Sequence, residues 1–217
     1  EMCIRDSPNA GAYRDYFRWV ATGLEEPMTT HADRFRYNSG YGMSAYDKGS
    51  IFLSQLRYII GKKNFDKTLK KYFDDWSFKH PKPNDFIRSA EKVSGLELDW
   101  YLLDWAQSTM TIDYSVNSIY GVDNKTRIVL KRIGQMGMPI DLRVELISGK
   151  IMDFNIPMTK MRGSKPVSSS TVLKSWSWAK PYYELWIDID SKNISKILID
   201  PKNEMADINR TNNSLDL

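Results

Sequence analysis

The apolar residues of this 217-residue chain change their period once, near residue 110. A first half that repeats at about 3.6 and a second half that repeats at 2 must fold as helices followed by strands. Over residues 10–107 the spacing is helical and each segment carries its own punctuation. Residues 13–22 predict a helix closed by Gly23. A glycine-rich loop follows, and Ser44 with Asp47 reads as a capping box starting a helix that carries Phe52, Leu56, Ile59 and Ile60 until Gly61 stops it. A helix from about Asn64 places Phe65, Leu69, Tyr72, Phe73 and Trp76 towards a core. Another, capped by Asn84 after Pro81-Lys82-Pro83, places Phe86, Ile87, Ala90 and Val93 there, and residues 98–107 add Trp100, Leu102 and Trp105.

Beyond Thr109 the strands begin. Ile140, Leu142, Val144 and Leu146 alternate with Asp141, Arg143 and Glu145, and Met152, Phe154 and Ile156 repeat the alternation after a Gly149-Lys150 turn, which is hairpin chemistry. Residues 112–116, 127–133, 183–189 and 194–199 supply further strands, enough for a small antiparallel β-sandwich. Ser168-Ser169-Ser170, inside the connection 162–174, reads as a mobile loop. The fold class is α+β, with a helical part over 8–109, a β-sandwich over 110–203 and a C-terminal tail over 204–217.

Residues 1–7, Glu1-Met2-Cys3-Ile4-Arg5-Asp6-Ser7, look like a translated sequencing adapter and are set aside from fold reasoning. With them goes the only cysteine, so neither a disulfide framework nor a cysteine metal cluster is expected. A net charge of +4, from 31 basic and 27 acidic residues mixed along the chain, describes a solvated surface and gives no argument for nucleic acid. Lys62, Lys63, Lys67, Lys70 and Lys71 are interleaved with Asp66, Asp74 and Asp75 in the same way. The apolar runs fall well short of the roughly 18 residues of a membrane span.

The run Tyr46-Asp47-Lys48-Gly49 resembles the Tyr-Glu-Lys-Gly motif of the aminopeptidase N family of zinc metallopeptidases. The likeness extends through Ser50-Ile51-Phe52-Leu53-Ser54-Gln55-Leu56, then Gly61, Phe65, Leu69, Tyr72, Phe73, Pro83, Asp85-Phe86 and Ser94-Gly95-Leu96 to Trp105, about residues 10–110 in all. It is similar to the helical C-terminal part of that family's thermolysin-like catalytic domain. Leu198-Ile199-Asp200-Pro201 and Asp207-Ile208-Asn209-Arg210 resemble the β-sandwich that follows it in bacterial members. The resemblance implies a peptidase acting on peptide substrates, with Tyr46 as the catalytic residue whose hydroxyl donates to the oxyanion formed when zinc-activated water attacks the scissile carbonyl.

Zinc is the implied cofactor, yet no metal ligand is assigned in this chain. The family's H-E-x-x-H and later glutamate precede the tyrosine motif, and the histidines here are His31 and His80. The chain is therefore expected to be the downstream remnant of a longer reading frame, inactive alone, whose first partner is the absent N-terminal part of the same polypeptide. Asp47 stands where the family has glutamate, and the family's large helical domain is not expected to follow Leu217.

Other readings attach to particular residues. The same scaffold without its metal would be a non-catalytic interaction protein. Trp176, Trp178, Tyr182 and Tyr183 would stack sugars in a carbohydrate-binding sandwich, or else fill a core. Glu25, Glu26 and His31 gather carboxylates near an imidazole, although a proline turn is not metal-ligand spacing, and a loop beside the cleft is the plainer reading. Lys48 reads as a surface or loop-bracing charge, and Gly40, Gly42 and Gly49 as close-packing points.

Overall fold

The computed structural model describes residues 9–217, so the adapter-like stretch 1–7 lies outside the described residues. Helix α1 (Ala10–Ala21) is followed by Gly23 at φ +68°, a left-handed conformation that costs glycine little. After an irregular stretch, α2 (Asn38–Gly42), a π-helical segment (Met43–Lys48) and α3 (Gly49–Ile60) run on without a break. The glycine-rich residues are thus helical, and the expected capping box at Ser44 is absent. Ser44 is buried inside the continuous helix, where the preceding turn already serves the amides that it was expected to cap.

At Gly61, φ +78° ends α3 and turns the chain into α4 (Lys62–Trp76). Helix α5 (Pro83–Ser94) has proline at its first position, and the Asp85 carboxylate accepts the Lys82 N–H at 2.8 Å, so the cap lies ahead of Asn84. Gly95, at φ +72°, closes α5, and α6 (Asp99–Ala106) completes the helical half. The expected inward row of α4 is only partly inward. Phe65 packs against the core and Tyr72 meets Phe86 edge-on at 5.1 Å, but Leu69 and Phe73 are exposed. No described helix is long and apolar enough to cross a membrane.

Eight strands follow: β1 (Tyr114–Val122), β2 (Lys125–Arg132), β3 (Ile140–Leu146), β4 (Ile151–Ile156), β5 (Thr171–Val172), β6 (Tyr182–Ile187), β7 (Ile194–Ile199) and β8 (Ser214–Asp216). They form one sheet in the order β1-β2-β6 and another in the order β5-β4-β3-β7-β8. Register follows the alternation: Leu142 faces Phe154 and Ile199 across its neighbours, and Val144 faces Met152 and Ile197. On the other face of the same strands Arg143 pairs with Asp153 at 2.8 Å. Strand β5 lies within the connection expected to be a mobile loop and pairs with β4 in parallel, so the strand set is not purely antiparallel. Ile128, Leu130, Leu185 and Ile187 of the first sheet and Leu142, Val144, Ile197 and Ile199 of the second share one buried cluster with Tyr16, Ile51, Leu56 and Trp105 of the helices.

The chain after β7 ties these parts together. The Asp200 carboxylate accepts the N–H groups of Glu204 and Met205 at 3.0 and 2.7 Å, and Asp207 accepts those of Tyr114 and Asn209, both at 2.9 Å. Between these hinges, fully buried Gln55 of α3 donates to Tyr13 Oη at 2.7 Å and to the Glu204 carbonyl at 2.8 Å, and accepts the Ala206 N–H at 3.1 Å. Replacing it with an isosteric apolar residue strands buried backbone groups. Gln55→Leu should cost about 2–3 kcal/mol, read as a lower urea midpoint with an unchanged slope.

Burial pushes the Asp200 and Asp207 carboxyls up to about 6, outweighing the hydrogen bonds that pull them down. With the folded value above that of an exposed aspartate, each group favours the folded chain most when protonated, and that contribution is lost as pH rises from about 4 to above 6. Asp207→Asn loses an acceptor and should be less stable than the parent at pH 4. Its deficit should shrink by about 2–3 kcal/mol on going to pH 7, because only the parent must ionise a buried group. Urea titrations at both values check this, and a deficit that does not change with pH would show that Asp207 ionises normally.

Candidate active site

Tyr46 lies in the π-helical segment and is 73 % exposed. A π turn holds one more residue than the α register allows, and such turns recur at functional sites. Helix α1 packs against this segment, and beneath it lies a raft of buried rings. Tyr101 stacks on Trp105 with centroids 6.3 Å apart, Tyr16 approaches Trp105 at 6.0 Å, and Phe52 meets Tyr101 at 4.9 Å. Tyr46 itself stays off that raft, so its ring is available at the surface.

Two residues further on, Lys48 turns the other way. It is fully buried, and the surface position considered for it is wrong, although bracing a loop is what it does. Its Nζ lies 2.5 Å from Glu25 Oε1, donates to the Ser108 carbonyl at 3.2 Å and stands 5.9 Å from the Trp105 ring centroid. One ammonium thereby joins the stretch after α1, the π turn and the chain leaving α6. Burial pushes the Glu25 carboxyl above the usual carboxylate range, and the charge of Lys48 pulls it back by less. The Tyr16 phenol is raised too, first by burial and then by the negative charge of Glu25. The side-chain polar atoms Tyr16 Oη, Trp19 Nε1 and Trp105 Nε1 are buried in this half without a hydrogen-bond partner among the described residues. Asp47 is raised modestly, by burial and by Asp15.

The neighbouring carboxylate works further upstream, ahead of α2. Glu26 Oε2 accepts the Arg36 N–H at 3.1 Å, just ahead of α2. A Cβ added to Gly40 would lie 3.4 Å from Trp19 and 3.5 Å from Glu26 Oε2, near-ordinary contacts, so Gly40 packs against both but the space does not demand glycine. The close-packing expectation fails for Gly42, where an added Cβ meets nothing within 4 Å, and for Gly49, where it makes an ordinary 3.8 Å contact with the Ser44 carbonyl.

Glu25, Glu26 and His31 therefore disperse. His31 is exposed, and its Nδ1 accepts the Asp33 N–H at 3.3 Å at the start of a short 3-10 turn. His80 is exposed as well. Among the described residues no group of three or more His, Cys, Asp and Glu side chains could hold a metal ion, so the donors present do not fit a zinc site.

The aromatic group of the second half also splits. Trp176 is buried against Tyr114 and Tyr183 and donates its indole N–H to the Lys180 carbonyl at 2.9 Å, while Trp178 is exposed beside Lys160, 5.0 Å from its ring. A sugar platform built from all of these rings is not assembled.

Sequence reasoning missed Glu25 as the partner of Lys48. The available signal was the set Ser44, Lys48, Ile51 and Gln55, which recurs at helical spacing and places polar groups on one inward stripe.

Residues 15–105 match the model of the Peptidase family M1 domain. The chain is 32 % identical to human glutamyl aminopeptidase over 83 residues, covering 38 % of this chain and 8 % of that protein. It is 24 % identical to aminopeptidase N of Escherichia coli strain K12 over 142 residues, covering 61 % of this chain and 16 % of the relative. The chain thus spans less than a fifth of the length of these curated relatives. Among solved structures, the Legionella pneumophila aminopeptidase A crystallised with aspartic acid shares its fold over 78 % of this chain and 18 % of that one, with TM-score 0.50 and 16 % identity.

The geometry separates the two tyrosine-motif side chains by what their loss should do to folding. Tyr46→Phe should leave the unfolding free energy within about 0.5 kcal/mol of the parent, since the ring is exposed. Glu25→Gln or Lys48→Met alone should cost about 3–5 kcal/mol, because each leaves its partner charged and buried, and the double variant should recover a large part of that loss. Urea unfolding of the four proteins closes the cycle.

Proposed function

We propose that this chain, a member of the M1 aminopeptidase family, is part of a zinc-dependent aminopeptidase-like metallopeptidase that hydrolyses peptide bonds. Residues 8–109 belong to its catalytic domain, and the two sheets from residue 110 onward are the β-sandwich beside it. Zinc and the general-base carboxylate come from residues outside these 217, so the chain by itself has no peptidase activity.

Tyr46 is the group this chain contributes to the chemistry. Its phenolic O–H donates a hydrogen bond to the negative charge that grows on the scissile carbonyl oxygen of a bound peptide. A donor that is aimed before the reaction starts pays no reorganisation cost, and by comparison with other oxyanion donors it is worth roughly 3 kcal/mol in the transition state. The observation that carries this reading is the exposure of Tyr46 on a π turn inside the segment that matches the family model. A tyrosine serving only the core would lie on the ring raft below, as Tyr16 and Tyr101 do.

In the zinc-loaded enzyme that carries this chain, Tyr46→Phe should lower kcat by roughly 10²–10³ with zinc content and KM little changed. Steady-state hydrolysis of an aminoacyl chromogenic substrate, with metal analysis of the same preparations, provides the readout. Turnover within a few-fold of the parent would remove Tyr46 from the reaction and favour a non-catalytic scaffold of the same fold.

A further inference from the structure

We propose that the buried Glu25–Lys48 pair is a positioning device for Tyr46, locking the register of the π turn and so fixing where the phenol points. This rests on the role assigned to Tyr46 above. Successive helical residues are about 100° apart, so relaxing a π turn into the α register swings the residues on either side of the extra one by about that angle relative to each other. Tyr46 sits between two anchors. Upstream, Gly40 lies against Trp19 and Glu26, and Glu26 holds the Arg36 N–H. Downstream, Lys48 is held by Glu25 and by the Ser108 carbonyl. The adjacent carboxylates Glu25 and Glu26 thereby hold the end of the π turn and the chain that enters α2.

The pair and the register require each other. Were the turn to relax, Lys48 would swing away from Glu25, whose side chain is 6 % exposed, and leave its carboxylate facing Tyr16 without a cation within salt-bridge distance. An apolar side chain at position 48 would pack against Trp105 equally well but would accept several directions. The charge makes the direction specific. Lys48 and Glu25 act through Tyr46, and neither is assigned contact with substrate.

The test uses the zinc-loaded enzyme with Tyr46→Phe, Lys48→Met, Lys48→Arg and the double variant Tyr46→Phe/Lys48→Met, all assayed below the unfolding temperature of the weakest. Lys48→Met should lower kcat about 10- to 100-fold, the scale set by misplacing one group near a reacting centre, with KM within about twofold and zinc content unchanged. Lys48→Arg should recover part of the loss, since it still offers Glu25 a cation. The double variant should be no slower than Tyr46→Phe alone, because no phenol remains to be misplaced. Amides of residues 43–48 should exchange faster in Lys48→Met, with those of α5 unchanged.

Multiplying losses in the double variant, or parental kcat in Lys48→Met, would overturn the proposal. Parental kcat in Tyr46→Phe would instead overturn the role of Tyr46, and the positioning role with it. If Lys48→Met does not fold, Glu25→Gln/Lys48→Met, which buries no unpaired charge, carries the same comparison against its own Tyr46→Phe version.

Discussion

An ammonium and a carboxylate, both stripped of water, hold the neighbourhood of Tyr46 together. Such a pair is a poor source of net stability, because desolvating two ions takes back most of what their attraction returns. In keeping with that, burial raises the Glu25 carboxyl by more than Lys48 lowers it. What the pair supplies is direction. A hydrophobic contact is satisfied by many arrangements of similar area, whereas the Lys48 ammonium is satisfied only where Glu25 and the Ser108 carbonyl converge.

The rest of the molecule makes that convergence possible. Trp105, Tyr101 and Tyr16 form a ring floor that the π turn meets through Lys48, 5.9 Å from the Trp105 ring centroid, and the chain leaving α6 delivers Ser108. The floor is in turn part of one apolar cluster that extends into both sheets. Backbone groups satisfy Tyr58 in this interior: its hydroxyl donates to the Pro139 carbonyl and accepts the Asp141 N–H, both at 3.1 Å. The Tyr58 contact links the end of α3 to the start of β3, and so sets the sheets against the helix that continues into the π turn.

Much of this order was legible in the residues. Glycines at positive φ end helices at Gly23 and Gly61, where the sequence reading placed the ends, and the alternation from Ile140 to Leu146 gave that strand to the residue. Failures arose where local pattern is silent about the partner. Ser44 has the spacing of a cap, but only the helix already running from Asn38 shows that it is not needed as one. Leu69 and Phe73 have the period of a core row and lie outside, since period reports a face and not what covers it. Strand β5 is short and its pairing is between distant segments, so Ser168-Ser169-Ser170 gave no warning of it. Tyr46 itself was found through a motif, while Glu25, separated from Lys48 by more than twenty positions, required the fold.

The segment after β7 has a mechanical consequence. Because Gln55 binds Glu204 and Ala206 from the same helix that continues upstream into the π turn, and Asp207 binds the first residue of β1, three stretches of chain distant in sequence are bolted at one point. Helices and sheets must then behave as a single stiff plate. On the role proposed for Tyr46, the phenol rides on that plate and does not depend on a flexing between its two halves.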